Sequence, residues 1–365
     1  MKAQCTTEKL KNAVILAEKM TGKNLTLPTL HALLLVASGS SIKIRSTNLA
    51  VGVEIEIPAT IEQEGVVLIK GDILSNVSNN LPVKKEVSLN LENENLVVST
   101  NGSKTLIKCL PQEDFPTLPL VEGESFEIKS SLLQEGIRSV YFCSATTDIK
   151  PEIASIFIYT DQDALVFVAT DSFRLAEKKI KIKHVPEISK ILIPYKSVGD
   201  ILRVLDTFSD TVRVCFNRNQ LSLSGGGIYF TTRLIDGSFP DYRMIVPKEE
   251  KSKVVVIKQE LLSVLRLSTI FADKFFQVLF SIDSKGKKVL INSKNTDVGS
   301  SLSTIDAVIE GESIEVSFNL KYFLDVFQSI TNDSISISCT EVNKPIVVRG
   351  VQDNSFLYLL MPTNR

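Results

Sequence analysis

Residues 169–176 read ATDSFRLA and place Thr170, Asp171, Ser172 and Arg174 within five positions. A serine hydroxyl beside a carboxylate could attack a substrate if a base took its proton, with a guanidinium to hold the charge that develops. No paired histidine or lysine base accompanies Ser172, so a hydrolase built on Asp171 and Ser172 lacks its proton acceptor. The two histidines, His31 and His184, sit in no cluster with serine, cysteine or aspartate. A lone histidine of that kind reads as structural or surface. No G-x-S-x-G elbow, P-loop or dinucleotide fingerprint is present. The one glycine run, SGGGIYF (224–230), follows NQLSLS and precedes a strand-like segment. It therefore reads as a hairpin bend rather than a phosphate cradle. Cys5, Cys109, Cys143, Cys215 and Cys339 are scattered, odd in number and without a C-x-x-C pair. That pattern argues against a zinc site and a disulfide frame and for a reducing compartment, the cytoplasm by default. No cofactor and no metal are expected.

The other reading of Thr170-Asp171 is a polar turn between strands, and the elements around it decide. The chain has 365 residues, 44% of them hydrophobic and 23% charged, with a formal net charge of −1. Such a chain is a folded protein of two or three domains, and its bulk charge announces neither a nucleic-acid binder nor a membrane-surface protein. MKAQCTTEKLKNAVILAEKM turns amphipathic at once, which is not the pattern of a signal peptide, and ALLLVA (32–37) is too short to span a bilayer. No membrane partner is expected.

An internal repeat organises the rest. IKGDILSNVSNNLP (69–82), IPYKSVGDILRVLDTF (193–208) and FNLKYFLDVFQSI (318–330) start 124 and then 125 residues apart. Their apolar residues recur at helical spacing: Ile73, Leu74, Val77, Leu81; Val198, Ile201, Leu202, Leu205; Tyr322, Phe323, Val326, Phe327, Ile330. An earlier helix pattern opens each repeat: TEKLKNAVILAEKM (7–20), SSLLQEGIRSVYF (130–142) and KQELLSVLRLSTIF (258–271). Phe115-Pro116 returns as Phe239-Pro240, and Thr47-Asn48 as Thr170-Asp171 and Thr296-Asp297. Between the helices run alternating strands such as Val51, Val53, Ile55, Ile57, with hairpins at SGSS, DQDA and SKGKK. The spacing predicts three α+β domains of one fold, 1–120, 121–248 and 249–365, each long enough to bury its own core. The turn residues are shared among the repeats, whereas Ser172-Phe173-Arg174-Leu175 belongs to the second alone.

ATDSFRLA, DGSFPDYRMIVP (236–247), FNLKYFLDVF (318–327) and the terminal YLLMPTNR together resemble the signature segments of the bacterial DNA sliding clamp, the beta subunit of DNA polymerase III. The resemblance spans the whole chain. It implies a head-to-tail homodimer in which six like domains close a ring, helices lining the hole and antiparallel sheets outside. It also implies a processivity factor that is not itself an enzyme. The ring would encircle duplex DNA without reading sequence, be placed there by a clamp loader, and tether the replicative polymerase and other partners through short peptides.

Carried over by motif, the peptide pocket between the second and third domains would comprise Thr170, Ser172, Phe173, Arg174 and Leu175, then Pro240, Met244 and Ile245. Asn319 and Tyr322 would follow, with Leu359, Leu360, Met361 and Pro362 from the tail. Ile153 and Pro345 lie in less distinctive stretches. The tail could equally be a last core strand, and a strand has two faces for the two tasks. Mixed helix faces would line the hole with Lys9, Lys11, Lys19, Arg138, Lys196, Arg203, Arg266 and Lys321, diluted by Glu8, Glu18, Asp200 and Asp206. An ordinary solvated face is the competing reading. Ile270 and Phe271 would meet Ile107 of a second copy, with a core role as the alternative. The family usually has Gly-His where this chain has Ser172-Phe173, a second arginine where it has Met244, and an apolar-arginine ending where it has MPTNR. A peptide-binding scaffold of the same fold that does not encircle DNA is the second reading of function.

Overall fold

The computed structural model describes residues 1–22, 27–82, 85–112, 114–182 and 190–363. His184, Asn364 and Arg365 lie outside the described residues. Six α-helices are found among them: α1 (Thr7–Lys19), α2 (Gly71–Asn79), α3 (Ser130–Val140), α4 (Tyr195–Leu205), α5 (Lys258–Ile270) and α6 (Leu320–Asp325). All six fall within the segments that the repeat singles out. In α1, Leu10, Ala13, Val14 and Ala17 form one buried stripe, and in α4 Val198, Ile201, Leu202 and Leu205 do the same. The first-turn hydroxyls serve packing rather than capping. Thr7 donates to the Lys85 carbonyl at 2.8 Å and Ser130 to the Leu205 carbonyl at 2.6 Å.

Packing divides the chain into two units, Met1–Gln134 with Lys196–Leu234, and Glu135–Tyr195 with Ile235–Arg365. The first unit holds an eight-stranded antiparallel sheet in which strands of two repeats join: Val51–Pro58 pairs with Ile228–Arg233, Val53 opposite Phe230. Val51, Val53, Ile55 and Ile57 are buried, while Glu54 on the other face meets Lys43 at 3.2 Å. The unit's second sheet has five strands and ends at Ser103–Lys108.

The second unit repeats the scheme. Its nine-stranded sheet joins two repeats where Arg174–Lys181 pairs with Phe356–Leu360, Leu175 opposite Leu359. Its other sheet has four strands and ends at Gly299–Asp306. In both units a strand of one repeat is completed by a strand of another, so neither is left as a raw edge. SGGGIYF is a hairpin bend, with Gly225 opposite Ile228 and Gly226 and Gly227 at φ of 57° and 80°. Among the described residues no helix is long and apolar enough to cross a membrane.

Candidate functional site

Thr170 and Asp171 make a turn. The Thr170 hydroxyl donates to the Arg174 carbonyl at 2.7 Å, and one Asp171 carboxylate oxygen accepts from the amides of Phe173 and Arg174, both at 3.0 Å. The first repeat builds the same turn. Thr47 donates to the Val51 carbonyl at 2.8 Å, and Asn48 accepts from Ala50 and Val51 at 3.0 and 2.9 Å. The residue after each Thr-Asx pair is left-handed, Leu49 at φ 73° and Ser172 at φ 78°. The third repeat departs from this. There Asp297 donates its amide to the Asn295 side chain at 2.9 Å, and Thr296 closes no such turn. Asp171 is thus occupied with backbone, and the chemistry an activated Ser172 would need is not assembled around it.

What the second repeat adds is Arg174. Its Nε donates to the second Asp171 oxygen at 2.9 Å and its Nη1 to Asp325, beyond the end of the turn. The guanidinium also lies over the Tyr322 ring at 4.3 Å and near the Phe142 ring at 5.7 Å. Burial is the largest single influence and opposes the charge, but the hydrogen bond to Asp325 and the charge interactions with Cys143, Tyr358 and Asp171 together outweigh it and hold Arg174 above its ordinary pKa. Tyr322 is held up by burial first and by the Asp171 charge second. Phe173, 61% exposed, stacks on the same tyrosine with ring centres 6.5 Å apart.

Strand alternation sorts the expected wall residues onto two faces. Leu175 and Leu359 face a cluster with Phe157, Val166, Val168 and Tyr242, against which Phe239 and Val246 pack. Arg174 and Leu360, also cross-strand partners, stand on the opposite face with Tyr358, whose hydroxyl donates to the Tyr322 carbonyl at 2.6 Å. Leu360 is wholly buried there. Where the strands end, the Met361 amide donates to the Phe173 carbonyl at 2.9 Å, so tail and turn are tied together. Asn319 caps α6 by accepting from Lys321 and Tyr322 at 3.0 and 3.3 Å. Met244 and Ile245 project from a short 3-10 turn, Tyr242–Ile245, at 82% and 50% exposure, and Pro240 before them is exposed as well. Ile153 and Pro345 are buried, and Pro362 lines a hollow of about 270 Å³ with Leu279, Ser317, Val342 and Thr363.

The candidate lining residues all lie on helices α1, α3, α4, α5 and α6. Several already have partners: Lys11 donates to the Asn79 carbonyl at 3.4 Å, Lys19 pairs with Glu18 at 3.0 Å, and Arg203 pairs with Asp200 at 2.7 Å. Lys321 sits 3.5 Å over the Phe276 ring. Lys9, Arg138, Lys196 and Arg266 are exposed. Of the expected interface residues, Ile270 is exposed and Phe271 lies beside Gly299 at the start of an edge strand. Ile107 is buried at 5%, and it is Leu106, 61% exposed, that projects from the edge strand Ser103–Lys108. Both border a hollow of about 1270 Å³ with Ile73, Leu91 and Leu110.

Three sequence profiles of the DNA polymerase III beta subunit match this chain: the N-terminal domain over residues 1–119, the central domain over 127–241 and the C-terminal domain over 243–364. This chain belongs to the DNA polymerase III beta subunit family. The beta sliding clamp of Bacillus subtilis is 26% identical over 358 residues, 94% of each chain. The crystal structure of the beta subunit from Thermotoga maritima, 28% identical, superposes with a TM-score of 0.93 over 100% of this chain and 99% of that one. A Pseudomonas aeruginosa clamp bound to griselimycin, 23% identical, shares the fold at a TM-score of 0.94 over the full length of both chains. The three-domain clamp fold is therefore the fold of this member of the family.

Motif transfer missed three groups that the geometry puts beside the candidate site. Asp325 takes the Arg174 guanidinium, Phe275 and Phe276 lie on the loop before Gln277–Asp283, and Tyr159 bonds Tyr242. The Phe275-Phe276 pair, an apolar doublet in a loop with Phe275 exposed, was the one visible signal.

Proposed function

We propose that the chain is a processivity clamp, a non-catalytic subunit whose two copies close head to tail around duplex DNA. Its three domains are 1–120, 121–248 and 249–365. One observation carries the closure. The first repeat ends its sheet on Ser103–Lys108 with Leu106 outward, and the third ends its sheet on Gly299–Asp306 with Leu302 outward at 66% exposure. Two open edges, each with an exposed leucine, are a hazard unless something pairs with them. Pairing one with the other in a second copy removes both, with Ile270 and Phe271 entering the hollow beside Leu106 and Ile107. Edges used once each, in a heterologous contact that closes after two copies, give a ring.

The lining would be Lys9, Lys11, Lys19, Arg138, Lys196, Arg203, Arg266 and Lys321. Because acidic neighbours share these faces, the phosphate backbone would be attracted weakly and no base edge would be read. Retention then comes from closure. The peptide site would be built on Phe173, Tyr322, Met244, Ile245, Met361 and Pro362 over the Leu175–Leu359 floor, for the replicative polymerase and the clamp loader in the cytoplasm. Exposed apolar side chains around a few fixed polar groups suit a short peptide anchor, and methionine adapts to more than one. Native mass spectrometry at micromolar concentration tests the closure. A species at twice the 40.3 kDa chain mass is expected, and compact monomer alone would refute the ring.

A further inference from the structure

The turn Tyr242–Ile245 is held by a chain of hydrogen bonds that the peptide reading does not use. The Tyr242 hydroxyl donates to the Glu177 carboxylate, and the Tyr159 and Tyr242 hydroxyl oxygens lie 2.7 Å apart. Arg243 Nη2 reaches the Tyr159 hydroxyl oxygen at 2.9 Å and Asp161 at 3.0 Å. Tyr242 has one proton and gives it to Glu177, so Tyr159 must donate to Tyr242 and in turn accept from Arg243. The direction is fixed throughout: Arg243 to Tyr159 to Tyr242 to Glu177, a cation at one end and a carboxylate at the other. Bonds aligned head to tail with charge at both ends polarise and stiffen one another.

The surroundings fit a device for placement. Phe157 is sandwiched between Tyr159 and Phe239, each at 4.9 Å, and the Phe239 ring meets Tyr242 edge-on at 6.3 Å. Tyr242 is buried, whereas Met244 and Ile245, two and three residues on, are exposed. Apolar packing alone would fix Tyr242 and leave the rest of the turn free to rotate about it. The Arg243 contacts with Tyr159 and Asp161 supply a second, lateral anchor.

We propose that Tyr159 and Arg243 are positioning residues, fixing the turn so that Met244 and Ile245 stand at the rim of the peptide site; this rests on the peptide-site reading above. The test is a double-mutant cycle by calorimetry on the full chain, with a synthetic peptide copied from the replicative polymerase. Y159F removes the bridging hydroxyl and keeps the ring, and R243Q breaks the same chain from its exposed end. Each should weaken the peptide about fivefold while the melting temperature stays put. In an M244A/I245A background the same changes should cost less than about twofold, because their effect passes through those two side chains. Unchanged affinity in Y159F and R243Q, or the full loss persisting in the M244A/I245A background, overturns the proposal. If M361A weakens the peptide and Y159F does not, the positioning role fails alone. If M361A and M244A/I245A both leave affinity intact, the peptide-site reading fails and the positioning role with it.

Discussion

The guanidinium of Arg174 stands 4.3 Å from the centre of the Tyr322 ring, and its Nε and Nη1 are spent on Asp171 and Asp325. A donor so engaged orients little in an incoming ligand. Its work is to lock the ATDSFRLA turn to α6 and hold up the ring on which Phe173 stacks.

Arg174→Ala should therefore cost stability as well as peptide affinity. Removing it leaves the mostly buried Asp171 and the half-exposed Asp325 without their cation, a loss on the order of 1–3 kcal/mol. Lysine should recover little, since it can neither span both carboxylates nor stack flat on tyrosine. Urea unfolding of the three proteins measures this, and an alanine variant as stable as the parent would show the contacts to be idle.

Met361→Ala, and deletion of residues 361–365, should weaken a polymerase-derived peptide by about tenfold or more, leaving the dimer intact. The estimate follows from burying one leucine or phenylalanine, roughly 1.5–3 kcal/mol. Calorimetry reads the affinity and scattering reads the mass. Equal affinity in both variants would reduce ATDSFRLA to the turn its first-repeat counterpart is.

Leu106→Glu and Leu302→Lys should each shift the protein toward monomer at micromolar concentration, because a charge on an edge strand blocks edge pairing. Small-angle scattering of each variant checks this. Two variants that remain wholly dimeric would place the contact elsewhere.

The helices were legible because Leu10, Ala13, Val14 and Ala17, or Val198, Ile201, Leu202 and Leu205, declare their period locally. The first two Thr-Asx turns were legible for the same reason: their bonds span at most four residues. Ile107 and Leu106 lie on opposite faces of the Ser103–Lys108 strand, a parity that a shift of one residue inverts and that no local pattern in the sequence fixes. Asp325 lies 151 residues from Arg174, and Tyr242 lies 83 from Tyr159. No local pattern encodes such pairs. They exist because tertiary packing in the second unit sets helix α6 against the Arg174 strand and the Tyr242–Ile245 turn against the Ser155–Asp161 strand. Thr296-Asp297 shows the converse, a shared dipeptide whose turn is not shared.

Three buried thiols, Cys5, Cys143 and Cys339, should shape the alkaline limb of stability, Cys143 being held well above its ordinary value by burial. Burial pushes Cys5 and Cys339 up from the ordinary 9.0 to about 12. Between those values the folded chain keeps protons that the unfolded chain has released, so stability falls as pH rises through that window and is unaffected well below it. Each thiol contributes a slope of up to about 1.4 kcal/mol per pH unit. Replacing Cys5 by alanine should flatten the decline between pH 9 and 11 in urea titrations, whatever it does to the stability at pH 7. An unchanged slope would mean that the thiol ionises equally in both states.

Retention on DNA tests the central claim most directly. The protein is loaded onto a nicked circular duplex by its clamp loader, free protein is removed, and half the sample is cut once with a restriction enzyme. A closed ring held by topology stays on the circle and runs off the linear ends within minutes, with no preference for the circle's sequence. Equal loss from circle and linear duplex, or persistence on open linear DNA at one favoured sequence, would contradict encirclement.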